Sequence, residues 1–143
     1  NVALLADLNY EPDEAAKLAA EYWSEVSQAL PEWNMVRNRQ ITSREVREDF
    51  IHTHGVVLHA IGRAGNALFK SDQTNWQAKI KGLEKIDWSR GNRQIWEGRA
   101  MQAGRLSKAN RSMILTANVI KTTLGLELKP DEQRLEAELM DQK

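Results

Sequence analysis

The sequence contains no cysteine, which excludes disulfide bridges and thiolate metal sites and fits a reducing compartment, the cytoplasm. Proline is scarce, at three residues, and glycine reaches only eight, so the chain has neither the composition of a linker nor that of a disordered tract. Its apolar runs are a few residues long, far short of the ~20 needed to cross a bilayer, and no membrane association is expected. Period-two alternation over strand length is missing, as is the Asn-Gly type of hairpin dipeptide, which argues against a sheet-based fold. Net charge is missing too: 20 Lys and Arg balance 20 Asp and Glu.

That balance conceals an uneven distribution. Residues 1–43 carry three Lys/Arg against seven Asp/Glu, residues 44–121 fourteen against seven, and residues 122–143 three against six. The positive excess sits in the middle, most densely between Asp87 and Lys121, where Arg90, Arg93, Arg99, Arg105, Lys108, Arg111 and Lys121 face Glu97 as the only acid after Asp87. Such a segment creates a local field that attracts anions whatever the total charge.

What is present is helical periodicity. A chain of 143 residues is long enough for one domain that buries roughly 70% of its unfolded surface. From Asp13 to Leu30, Ala15, Leu18, Ala19, Tyr22, Trp23, Val26 and Leu30 recur at three and four residues, the spacing of one helix face, with Pro12 suited to the first turn and Pro31 ending it. Glu32 to Ile41 has no clean period and reads as a packed connector. Thr42 and Glu45 have capping-box spacing and start a helix, with Gly55 as an interruption before Val57, Ile61 and Leu68 resume the pattern. Further starts are expected at Ser71–Thr74, at Asn92 for a short helix carrying Ile95, Trp96 and Met101, at Ser107 for a helix to Leu124, and at Pro130. The expected fold is all-α, a compact bundle of five to seven helices in a single domain over 1–143. Because the first residue is Asn1, that domain is expected to be the C-terminal fragment of a longer protein.

Catalytic chemistry finds little support. His52, His54 and His59 have the wrong spacing for a helical metal pair and read as surface or cap histidines, so neither metal nor cofactor is expected. No serine lies in a Gly-x-Ser-x-Gly elbow, and Asp87 and Glu97 read as capping or surface acids. Gly62-Arg63-Ala64-Gly65 has the form of a backbone-clamping loop but lacks the sheet that such domains require, so a close helix contact is the better reading. Trp23 and Trp76 fall in phase with aliphatic neighbours and belong to a core. Trp88 and Trp96 lie among arginines, which suggests guanidinium stacking, with base stacking as a lesser alternative.

The words Ile86-Asp87-Trp88-Ser89-Arg90-Gly91-Asn92, Trp96-Glu97-Gly98-Arg99-Ala100-Met101 and Gly104-Arg105-Leu106-Ser107-Lys108, followed by Leu115-Thr116-Ala117-Asn118-Val119-Ile120-Lys121 and Leu124-Gly125-Leu126, resemble the C-terminal part of DndB proteins. His54-Gly55-Val56 fits more loosely. The resemblance implies a DNA-associated protein of bacterial DNA phosphorothioation (sulfur modification) systems, a regulator of the modification genes rather than the enzyme that installs sulfur. Other proteins of such a system are implied as partners. The Asp-Gly-Gln-His-Arg motif of proteins that look related to the family is absent from these residues.

Arginine forks match phosphate oxygens, so Arg90, Arg93, Arg99, Arg105, Lys108, Asn110 and Arg111 are the expected nucleic-acid-binding residues. All but Asn110 are expected to contact the backbone, and Asn110 and Arg111, at the start of the last long basic helix, to reach a base edge. The competing reading makes the same patch a scaffold or a homo-oligomer contact, its arginines paired with Glu21, Glu25, Glu136 and Glu138. A third reading, ranked last, is a phosphate clamp in a nucleotide-processing enzyme.

Overall fold

The computed structural model describes residues 2–143. A single turn, α1 (Val2–Leu5), precedes the long amphipathic helix α2 (Pro12–Ala29), whose Ala19, Tyr22, Val26 and Ala29 are buried. Leu30 is extended, and the segment expected to be an irregular connector forms a second helix, α3 (Pro31–Arg37). Pro31 stops α2 and opens α3, because proline lacks the amide that a continuing helix needs but suits a first turn. No residue of α3 is fully buried, which explains why its hydrophobic period is faint.

In α4 (Ser43–Asp49) the Thr42 hydroxyl accepts the Glu45 amide at 3.1 Å and the Glu45 carboxylate accepts the Thr42 amide at 3.3 Å. Phe50 to His54 then break the chain before α5 (Gly55–Ser71), so Gly55 begins a separate helix. Along α5, Val57, Ala60, Ile61, Ala64 and Leu68 are buried, and the helix packs most extensively against α8 (Asn110–Thr123). The Gly62/Gly65 pair serves helix contact. A Cβ on Gly65 would stand 2.4 Å from Tyr22 Cζ and 2.7 Å from Leu4 Cδ1, so only glycine lets α1 and α2 approach α5, and Tyr22 donates its hydroxyl to the Ile61 carbonyl at 2.6 Å.

After α5 come α6 (Trp76–Ile80), a 3₁₀ turn (Lys81–Lys85) and the short helix α7 (Arg93–Trp96). Met101 was expected on the α7 helix; instead β1 (Met101–Gln102) pairs antiparallel with β2 (Arg105–Leu106) around Ala103-Gly104. Both turn residues have positive φ, 52° and 77°, the requirement of a tight hairpin. The Glu97 carboxylate accepts the amides of Ala103 and Gly104, so a side chain supplies what the Asn-Gly signal would otherwise announce. The expected cap at Ser107 is displaced. Its hydroxyl accepts the Ala109 amide at 3.2 Å and the hydroxyl proton of Ser112 at 2.8 Å, and α8 starts at Asn110. The last helix, α9 (Pro130–Gln142), follows a turn at Gly125, whose φ is +81°.

The Asp87–Asn92 stretch is stitched to the end of α4. The Ile51 amide donates to the Trp88 carbonyl and the Arg90 amide to the Asp49 carbonyl, each at 2.9 Å. Trp88 and Trp96 are both buried and stack on each other, centroids 5.2 Å apart and planes 9° from parallel, so neither carries an exposed guanidinium or is open to a base. Their neighbours in sequence are basic, but indole area is worth most when removed from water. His52, expected at the surface, is fully buried beside Trp33, Phe50 and Trp88, and its Nε2 lies 2.7 Å from the Glu32 carboxylate. Burial lowers its pKa, and the bond to Glu32 only partly opposes that. Among the described residues no helix is long and apolar enough to cross a membrane.

Candidate nucleic-acid interface

Tertiary structure divides the basic residues into three sets. Arg93, Arg105 and Lys108 are exposed and have no ion-pair partner among the described residues, and Asn110 is exposed at the first position of α8. Arg90 is half-buried and structural: its Nη2 donates to the Arg47 carbonyl at 3.0 Å and lies 2.9 Å from His54 Nε2. Arg99 and Arg111 are held by α9.

Arg99 is buried, with two nitrogens on the two Glu136 oxygens at 2.7 Å each and a third bond to the Leu115 carbonyl at 2.9 Å. Arg111 Nη1 meets Glu138 at 2.5 Å. Of the acids expected to neutralise the patch, Glu136 and Glu138 therefore do so, while Glu21 accepts instead from Gln77 at 2.9 Å. Arg99 is consequently not available to a phosphate while α9 is docked.

Lys108 and Asn110 border an open groove of about 560 Å³ between the first turns of α5 and α8. Arg47, His54, Gly55, Val56 and His59 line its other side, and no carboxylate lines it. Neither helix has a side-chain cap or an acid in its first turn. Uncapped first turns present free amides and the positive end of the helix dipole, and here they sit beside a guanidinium and an ammonium. The arrangement suits phosphate oxygens.

The His54 pKa is lowered: burial lowers it first, the bond to the Arg47 carbonyl opposes this, and the charges of Arg47 and Arg90 push it down again. Sequence reasoning missed Arg47, His54 and His59 as groove residues, because they come from α4 and from both sides of the Gly55 break, 49 or more positions before Lys108. The fourteen-to-seven basic excess across residues 44–121 was the one available signal, and it includes Arg47.

Arg93 lies elsewhere, bordering a hollow of about 670 Å³ with Arg99, Met140 and Lys143. The carboxylates of Glu97 and Asp87 are committed locally: Glu97 holds the hairpin turn, and Asp87 accepts the Ser89 amide at 3.0 Å. The bonds from Ser89 keep the Asp87 carboxyl below its ordinary range. Among the described residues no three His, Asp or Glu side chains gather as metal ligands.

Residues 2–127 match the model of a protein family described as DndB, DNA-sulfur modification-associated. The match takes in the first half of the chain as well as the words around Trp88 and Trp96, and it stops before α9. No curated protein and no solved structure matches the chain.

Proposed function

Since the chain belongs to the DndB family of DNA-sulfur modification-associated proteins, we propose that it is a DNA-contacting accessory domain of a bacterial phosphorothioation system, acting in regulation of the modification genes and not in sulfur transfer itself. The observation that carries this reading is the carboxylate-free groove between α5 and α8, edged by Arg47, Lys108 and Asn110. Arg105, exposed on the hairpin that leads into α8, extends the positive surface. Backbone contacts of this kind fix position and orientation, and they carry no sequence information by themselves. Asn110, at the mouth of the groove, is the side chain suited to a base edge.

Binding of a fluorescent DNA duplex measured across a salt series tests the reading. Each phosphate contact contributes about 0.9 to the slope of log K against log salt. The Arg105→Ala/Lys108→Ala variant is expected to bind more weakly, with a slope shallower by about 1.8. An unchanged affinity and slope in that variant, or no binding by the wild type at low salt, would refute the exposed patch as a DNA contact.

A second reading, a helical scaffold whose basic patch is neutralised internally, is favoured by the Arg99–Glu136 and Arg111–Glu138 pairs. It predicts that Arg99→Ala lowers thermal stability and leaves duplex binding untouched.

A further inference from the structure

The helix α9 carries five carboxylates against one arginine, and it is held to the domain chiefly by charge. Only Glu132 and Leu139 of α9 are buried, and Met140 is 62% exposed. Leu139 packs on the bare backbone of Gly98, where a Cβ would come within 2.6 Å of its Cδ1. The remaining anchors are polar. Glu132 accepts Lys121 Nζ at 2.6 Å and Arg63 Nη2 at 2.8 Å, Glu136 accepts Arg99 and, at 3.0 Å, the Asn118 amide, and Glu138 accepts Arg111.

The cations underneath have no other counter-charge. Among the described residues Arg63, Arg99, Arg111 and Lys121 form ion pairs only with these three glutamates. Their donors are also incompletely used: Arg63 Nε and Arg111 Nη2 are shielded from solvent without a protein acceptor. Arg111, Asn118 and Lys121 extend over ten residues of α8, ~15 Å at 1.5 Å per residue, about four nucleotide steps of one DNA strand at 3.4 Å each. The family match ends at residue 127, before the helix begins at Pro130, so α9 lies outside the matched residues.

We propose that Arg63, Arg99, Arg111, Asn118 and Lys121 form a second nucleic-acid-backbone face, and that α9 is an acidic strap whose Glu132, Glu136 and Glu138 occupy it in place of phosphates. This rests on the DNA-contacting reading above and adds its regulation. With α9 docked the face is neutral and covered. With α9 displaced about Gly125, whose φ is +81°, four cations lose their partners together and face a competing polyanion. Displacement exchanges carboxylate contacts for phosphate contacts, so Lys121 keeps a counter-charge in both states. Reciprocity follows from linkage: whatever loosens α9 tightens DNA binding, and DNA loosens α9 to the same extent.

The test compares three forms of the 143-residue chain in duplex binding across a salt series: wild type, Glu136→Gln/Glu138→Gln, and Asp131→Asn/Asp141→Asn. The two variants remove equal charge from the same helix, but Asp131 and Asp141 are exposed and pair with no cation among the described residues. The glutamate variant is expected to bind more tightly than the aspartate variant and to steepen the salt slope by about 1.8, or 0.9 for each of two freed cations. Adding duplex to the wild type is expected to speed amide hydrogen exchange in α9. Equal affinity and slope in the two variants, or α9 exchange that ignores DNA, would overturn the strap. If the variants behave alike while Arg105→Ala/Lys108→Ala still weakens binding, the strap alone fails. Binding by the glutamate variant alone would leave the strap standing and remove the exposed patch as a sufficient contact.

Discussion

Ala103 is a residue at odds with its backbone. Its φ of 52° places an L side chain in the left-handed region, which costs roughly 1–2 kcal/mol, a cost glycine avoids. Glu97 offsets part of that by holding the Ala103 and Gly104 amides on its carboxylate. Ala103→Gly is therefore expected to stabilise the domain by about 0.5–1 kcal/mol, less than the full relief because glycine loses more freedom on folding. Thermal denaturation followed by circular dichroism checks it, and a lowered melting temperature would show that the turn tolerates alanine without strain. Gly65 is the opposite case: its φ is ordinary, and glycine is required there by the Tyr22 ring that occupies the space of a Cβ.

Among the elements, α9 couples charge to docking. Glu132 stands at its first turn, where one oxygen accepts the Lys129 amide at 2.9 Å and the other accepts Lys121 and Arg63. Burial alone would raise its pKa, but the bonds from Lys121, Lys129 and Arg63 outweigh that and bring it from 4.5 to about 2. A carboxyl whose folded pKa is depressed contributes stability that is complete above the unfolded value and is lost as pH falls through the folded one. The contribution is thus expected to be present above about pH 4.5 and to disappear toward pH 2. Hydrogen exchange of α9 amides followed down this range should show loss of protection. In Glu132→Gln the acid-dependent limb should be smaller, keeping only the part carried by Glu136, whose pKa the bonds from Arg99 and Asn118 also hold down against burial, and protection should already be reduced at neutral pH. The neighbouring elements show why short ones were misread: α3 buries no residue completely, and the 101–106 hairpin has only two residues in each strand, too few for any period to register.

At the scale of the whole molecule, the stacked indoles of Trp88 and Trp96 tie the 87–96 stretch to the segment after α4. Trp88 touches His52 from the segment after α4, its carbonyl accepts the Ile51 amide, and Trp96 Nε1 donates to the Asp87 carbonyl at 2.8 Å. Trp88→Ala is expected to cost about 3–5 kcal/mol, the range for truncating a large buried aromatic. Urea denaturation measures it, and a loss below about 1 kcal/mol would mean that the site collapses around the gap. The Asp87–Asn92 words on which the family resemblance rests thus include a packing device, and the basic surface lies around it.

The mainly helical character, the span of α2, the Thr42–Glu45 cap and the mid-chain basic excess follow from sequence because each depends on neighbours within a few residues or on a simple count. The family was legible for a similar reason, in contiguous words such as Trp96-Glu97-Gly98-Arg99. Which cations remain free was decided only in three dimensions. Arg99 and Arg105 lie six residues apart with the same chemistry, yet one is sealed against Glu136 and the other is exposed. The groove between α5 and α8 depends on Arg47 and Lys108 meeting across 61 residues. Charge pairing and desolvation depend on distance and burial, and long-range packing sets both.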